Sequence, residues 1–254
     1  MTNPIRDEWQ SDDGSIRLIL GDCLEVVPTL DNLDAVVIDP PYGIAYQHGG
    51  GGKKLSKGIK RFSDPIYGDD EPFDPSPWTD YPIVAMFGAN HYAQRLPESG
   101  TWIAWDKSLG IGPNDSFADA EFVWTNQKVK RNVIRVLWKG IVCNKTHEDG
   151  LYKGSVVRRH PSQKPIELLL TLMDVCNIPA GATVLDGYAG SGSLAIACIR
   201  TNRRFIGIEI ERKYWAASVD RVRAELARFP LITTSEQRQL ELLDPDDVPV
   251  DSPA

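Results

Sequence analysis

Short apolar runs bounded by turn residues recur along this chain, with helical periodicity between them, and that alternation constrains the fold most. Ile16–Leu20, Ala35–Ile38, Ile83–Phe87, Thr101–Trp105, the apolar-rich stretch Asn132–Trp138, Thr183–Leu185 and Arg204–Ile208 read as strands. Ile166–Val175 after Pro165, Ser193–Arg200 and Tyr214–Leu226 carry apolar residues at helical spacing. Strands alternating with helices predict an α/β fold around a largely parallel sheet. Such sheets bind ligands beyond the carboxyl ends of their strands, where connections reverse direction. The chemistry is expected there.

A length of 254 residues suits one domain of ordinary size with a small insertion. With 42% hydrophobic and 25% charged residues, the chain can bury a substantial core. No run approaches the roughly 18 consecutive apolar residues of a membrane span. Residues 1–9 lack the apolar segment of a secretory signal, so a cytoplasmic protein is expected. Cys23, Cys143, Cys176 and Cys198 form no Cys-x-x-Cys pair, and His48, His91, His147 and His160 share no ligand spacing. Neither a disulfide framework nor a metal site is expected.

The net charge of −7, taken alone, argues against a nucleic-acid partner. Its distribution weakens that argument. Residues 236–254 hold six acids against Arg238 alone and read, with their prolines, as a disordered, solvated tail. Two internal segments run the other way. Lys53, Lys54, Lys57, Lys60 and Arg61 cluster without an acid, and residues 128–164 carry ten Lys/Arg against Glu148 and Asp149. A solvated face is the ordinary meaning of one such run; two make a polyanion partner plausible. Residues 43–80 hold Gly49–Gly52, the first basic cluster and four prolines, a long loop of the functional or disordered kind.

Three constellations carry chemistry. Asp39-Pro40-Pro41-Tyr42 follows the strand Ala35–Ile38 directly. Two prolines fix φ and remove two donors, holding an acid and an aromatic ring rigidly at the sheet rim. A Pro-Pro turn closing a strand is the plain alternative. These residue types suit methylation of an exocyclic amine, whose lone pair is delocalised into its ring. The Asp39 carboxylate and the Pro40 carbonyl can accept both N–H hydrogens and stabilise the positive charge that develops. Tyr42 can stack on a base swung out of its helix, and Asp39 can take the surplus proton.

Val184–Ser193 runs from a strand through Asp186-Gly187-Tyr188-Ala189-Gly190-Ser191-Gly192 into a helix, and Glu209 ends the next strand. Small residues admit a ligand close to the backbone, and an acid at the following strand end can bond ribose hydroxyls. A plain strand-to-helix turn explains the glycines equally well, and a dinucleotide is the competing ligand. The glycine spacing is not the dinucleotide fingerprint. Third, His160-Pro161-Ser162-Gln163-Lys164-Pro165 leads into a helix, where Lys164 offers a cation to a carboxylate, or simply lies at an ordinary helix start.

These three motifs, in this order, resemble those of the amino-methylating DNA methyltransferases that use S-adenosylmethionine, in particular their circularly permuted β group. The resemblance spans roughly residues 16–227. It implies a Rossmann-like seven-stranded methyltransferase sheet with an antiparallel last hairpin and loop insertions for DNA recognition. It implies a methyltransferase domain over 1–230, with a catalytic half at 16–140, a short target-recognition region near 141–160 and a cofactor half at 161–230, before the tail at 231–254. Catalysis would fall to Asp39, Pro40, Pro41 and Tyr42. S-adenosylmethionine would be held by Asp22, Cys23, Asp39, Ser162, Gln163, Lys164, Asp186, Tyr188, Ala189, Gly190, Gly192 and Glu209. In that scheme Ser162, Gln163 and Lys164 face the methionine carboxylate.

The resemblance also implies double-stranded DNA as partner, family habit points to a dimer, and a cognate restriction nuclease belongs to the same expectation. Lys53, Lys54, Lys57, Lys60, Arg61, Lys128, Lys130 and Arg131 would contact phosphates. The acid at Asp39 leans toward adenine N6, because cytosine-N4 members more often carry Ser there. A protein or RNA amine, or a non-catalytic nucleic-acid-binding role, are the alternatives. Two departures stand out. The family usually has Asp-Pro-Phe where this chain has Asp186-Gly187-Tyr188, so a looser turn and weaker cofactor binding are expected. The short recognition region predicts a short, relaxed target.

Overall fold

The computed structural model describes residues 3–45, 67–109, 118–139, 142–143 and 163–228. In chain order its elements are β1 Ile5–Gln10, β2 Ile16–Gly21, α1 Cys23–Val26, β3 Ala35–Ile38, β4 Ile83–Phe87, β5 Thr101–Asp106, β6 Ala120–Thr125, β7 Val133–Arg135, β8 Trp138–Lys139, β9 Val142–Cys143, α2 Ile166–Val175, β10 Thr183–Asp186, α3 Ser193–Arg200, β11 Arg204–Glu209 and α4 Arg212–Leu226. Nine of the strands form one sheet in the order β1-β2-β11-β10-β3-β4-β6-β5-β7, and β8 pairs with β9 apart from it. The five strands β2, β11, β10, β3 and β4 run parallel, and β6 lies antiparallel between β4 and β5.

The sheet therefore has two more strands than the expected seven. The extra edges are β1, an antiparallel partner of β2, and β7, which extends β5 in parallel. Neither β1 nor β6 was expected from the sequence. Ile5–Gln10 alternates half-buried with exposed residues and contains two acids and an arginine, so it lacks an apolar run. Ala120–Thr125 begins with Ala-Glu, which masks the buried Val123 and Trp124 behind it.

Every residue of β3 is buried, as befits a central strand covered on both faces. Ala35 and Val37 join the core under α2, α3 and α4, while Val36 and Ile38 join a second core with Val26, Phe73, Trp78 and Tyr92. Helices α2, α3 and α4 thus cover one face, and α1 with irregular turns covers the other. The crossovers bring the carboxyl ends of β2, β11, β10 and β3 to one edge of the molecule. Because β6 is antiparallel, its first residues reach that edge and its last residues reach the opposite one. Among the described residues no helix is long and apolar enough to cross a membrane.

Candidate active site

The ends of β2, β3, β10 and β11 open into one cleft of about 810 Å³, large enough for a nucleoside-sized ligand beside a second group. Asp39 leaves β3 into it, and the Pro40-Pro41 turn folds Tyr42 back so that its hydroxyl donates to Asp39 Oδ1 at 2.6 Å. That hydroxyl also lies 3.0 Å from Glu121 Oε1 on β6, and its one hydrogen serves either carboxylate in turn. The Tyr42 ring stacks on His91, with centroids 5.0 Å apart and planes 11° apart. Gly88 makes room for it, since a Cβ there would lie 2.1 Å from the ring.

Asp69 fixes the turn from behind. Its Oδ1 accepts the backbone N–H groups of Tyr42 and Gly43 at 3.0 Å each, and its carbonyl accepts Ala45 N–H at 2.7 Å. Asp69 is itself buried. A buried carboxylate bound to successive amides holds that backbone firmly.

Lys164 comes to the same point from the segment entering α2. Its Nζ lies 2.6 Å from Asp39 Oδ2 and 3.0 Å from Glu121 Oε1, over the Phe87 ring. Lys107 pairs with Glu121 Oε2 at 3.2 Å. Burial pushes the Asp39 carboxyl above its ordinary value, and Lys164 offsets only part of that. Glu121 feels the same burial, but Lys164 and Lys107 outweigh it and hold the carboxyl below its ordinary value. Two neighbouring carboxyls are thereby pushed apart.

On the other side, Asp186 ends β10 and accepts Tyr188 N–H at 2.9 Å. Burial raises its carboxyl to about 8, with the negative charges of Asp39 and Glu209 adding to the effect. Glu209 accepts Gly190 N–H at 2.9 Å and Glu211 N–H at 2.8 Å, tying the glycine turn to the end of β11. The Tyr188 ring packs against Phe73 and Trp78. The turn at Gly187 is not loose, as its missing proline suggested. Trp78 lies directly over it, and a Cβ at Gly187 would fall 2.3 Å from the indole Cη2.

Asp22, Cys23, Asp39, Pro40, Pro41, Tyr42, Gln163, Lys164, Asp186, Tyr188, Ala189, Gly190 and Glu209 all line the cleft. Gly192 does not. It adopts φ +76° at the start of α3, and a Cβ there would press on Ser218 of α4 at 3.1 Å, so its role is the helix–helix approach. Lys164, expected to await a carboxylate, is already paired with two of the chain's own. Asp22 also caps α1 through Leu24 N–H.

Among the residues expected to meet phosphates, Lys128, Lys130 and Arg131 lie in the return from the far end of β6 to β7. None of the three lines the cleft, and Arg131 reaches Asp174 near the far end of α2. An antiparallel strand, which nothing in the local sequence announces, carries them away. Lys53, Lys54, Lys57, Lys60, Arg61, Ser162, most of 141–160 and the tail lie outside the described residues. At the mouth itself the exposed large side chains Leu24, Ile44, Tyr67 and Phe122 make the rim apolar. Asp69, His91, Lys107 and Glu121 were not found from sequence; the one available signal was an acid at the head of an otherwise apolar strand.

Comparison with known proteins bears on this geometry. Residues 98–220 match the N6/N4 methyltransferase family described as DNA methylase. YubD of Escherichia coli (strain K12), named as a methylase, is 28% identical over 221 residues, 82% of this chain and 90% of that protein. The type II methyltransferase M.HpaI of Haemophilus parainfluenzae is 24% identical over 262 residues, 87% of this chain and 79% of that one. A crystal structure of the M1.HpyAVI–SAM complex shares the fold, with a TM-score of 0.50 and 19% identity over 82% of this chain and 98% of that one.

Proposed function

We propose that the chain is an amino DNA methyltransferase that methylates the exocyclic N6 of adenine in double-stranded DNA, with S-adenosylmethionine as methyl donor and the base flipped into the cleft. One observation carries the reading. The Asp39–Tyr42 turn and the Asp186/Glu209 turn, far apart in sequence, face each other across a single cleft. An acceptor site for an amine and a holding site for a nucleoside thus share one space.

The donor set suits that cofactor. Asp186 is a buried carboxyl poised near 8, which an ammonium group would draw into its charged form. Glu209 presents a carboxylate at the strand end where ribose hydroxyls are taken, and Gln163 lines the same cleft and would meet the carboxylate end. Bound there, S-adenosylmethionine supplies a methyl group made electrophilic by its sulfonium.

The chain's own residues do the rest. Asp39 accepts an N–H of the target amine and, with the Pro40 carbonyl, opposes the charge that grows on nitrogen. Acceptors already in place need no reorganisation during the reaction. Tyr42, its hydroxyl pinned and its ring backed by His91, offers a flat surface to a flipped base. The cost of unstacking that base is a few kcal/mol. An acid rather than Ser at position 39 supports adenine over cytosine.

Expression in a host lacking DNA methylation, followed by sequencing that detects modified bases, tests this directly. N6-methyladenine in a defined context, absent with Asp39→Ala, is the expected result. Methyl groups on cytosine N4 would overturn the base assignment. Soluble protein that binds the cofactor and modifies no DNA would overturn the substrate.

A further inference from the structure

We propose that Glu121 is a positioning residue of the reaction: it anchors Lys164 and the Tyr42 hydroxyl around Asp39 and remains the anion of the pair while Asp39 takes the surplus proton. The inference rests on the methyl-transfer reading and adds a residue that none of the three sequence motifs contains.

The geometry is asymmetric. Glu121 faces two ammonium groups, Lys164 at 3.0 Å and Lys107 at 3.2 Å. Among the described residues Asp39 faces only one, Lys164 at 2.6 Å, together with the Tyr42 hydroxyl. Both carboxylates are largely shielded, with side chains 15% and 17% exposed. Asp186 of β10 and the Tyr92 hydroxyl also act on Asp39 from neighbouring elements. Where two carboxyls share a site, the one with more cations stays ionised and the other takes the proton.

That division answers a problem the reaction creates. Methyl transfer leaves the nitrogen positively charged and carrying one hydrogen too many. Its N–H bond breaks, the electron pair returns to nitrogen, and the proton binds an Asp39 oxygen. Asp39 is then neutral. Without a second carboxylate, Lys164 would be left as an unpaired buried cation, which is costly. Glu121 keeps Lys164 paired throughout and holds the Tyr42 hydroxyl in place as Asp39 changes charge.

The test is single-turnover methyl transfer to DNA, measured from mildly acidic to mildly basic pH. Glu121→Gln should slow transfer about 10²-fold, the scale of a misplaced catalytic group. KM for cofactor and DNA and the melting temperature should stay near wild type. Lys164 would then serve Asp39 alone, so the acid limb of the profile should move to lower pH by about one unit. Lys107→Met should move that limb the other way, because Lys164 is drawn toward Glu121. Glu121→Asp should recover part of the rate. Should Glu121→Gln fail to fold, Lys107→Met carries the test. An acid limb unmoved in both variants, or a wild-type rate in Glu121→Gln, overturns the proposal. A wild-type enzyme that methylates no DNA would instead overturn the functional reading beneath it.

Discussion

Trp78 and Gly187 are packed as lock and key: the indole lies where any side chain at position 187 would begin, 2.3 Å from an ideal Cβ. Trp78 comes from a turn at Ser76–Trp78 in the long segment before β4, is 1% exposed, and also meets the Tyr188 ring. Gly187, where the methyltransferases this chain resembles usually have proline, is therefore covered directly by a tryptophan. Gly187→Ala should destabilise the protein by about 1–3 kcal/mol through overpacking, read as a lower melting temperature. Gly187→Ala should cost less in a Trp78→Leu background than in wild type, and strictly additive effects of the two changes would refute the coupling.

Asp69 predicts a separable effect on the catalytic turn. Asp69→Ala removes an acceptor from the amides of Tyr42 and Gly43, costing about 1–3 kcal/mol for each donor left buried. The transfer rate should fall while cofactor affinity is retained, because the Asp186/Glu209 turn keeps its own hydrogen bonds. Equal losses of both would show that Asp69 supports the whole cleft instead.

The raised Asp186 carboxyl sets a pH dependence for the ligand-free protein. Its folded-state value of about 8 exceeds the ordinary 3.8, so the native state binds the proton more tightly than the unfolded chain. This group's contribution to stability is complete below pH 3.8 and is lost as pH rises toward about 8. Thermal melts across that window should show Asp186→Asn gaining on wild type as pH increases. Saturating S-adenosylmethionine should remove the decline in wild type alone. A constant difference between the two proteins would contradict the assignment.

The placement of Lys128, Lys130 and Arg131 predicts what they do not do. Reversing all three to Glu should leave the salt dependence of DNA binding near wild type, since none of them lines the cleft. Phosphate-contacting residues would instead lower the slope of log affinity against log salt by about 0.9 per lost contact. A drop of that size would place DNA along the β6–β7 return too.

Parts of this protein were legible in the sequence because their causes are local. β-branched runs such as Ala35–Ile38 are buried wherever they pair, and helical spacing in Ile166–Val175 and Ser193–Arg200 marks faces that must meet a core. The Asp39–Tyr42 turn and the glycine turn after Asp186 were readable for the same reason, since prolines and glycines impose their conformations without help from distant residues. Other features depend on partners that sequence cannot rank. β1 has no apolar run and exists because β2 offers it a ladder. Pairing of β6 between β4 and β5 carries Glu121 to Asp39 while removing Lys128–Arg131 from the site. Lys164 reads as a free cation until the fold closes and two carboxylates claim it, and Gly187 reads as a weakness until Trp78 covers it. The sequence by itself determined the apolar strands, the three longer helices and the conformations of the Asp39–Tyr42 and Asp186–Gly192 turns, through short-range sterics and periodicity. Only the tertiary structure decided which charges meet and which gaps are filled, because both depend on ångström-scale distances between segments far apart in the chain.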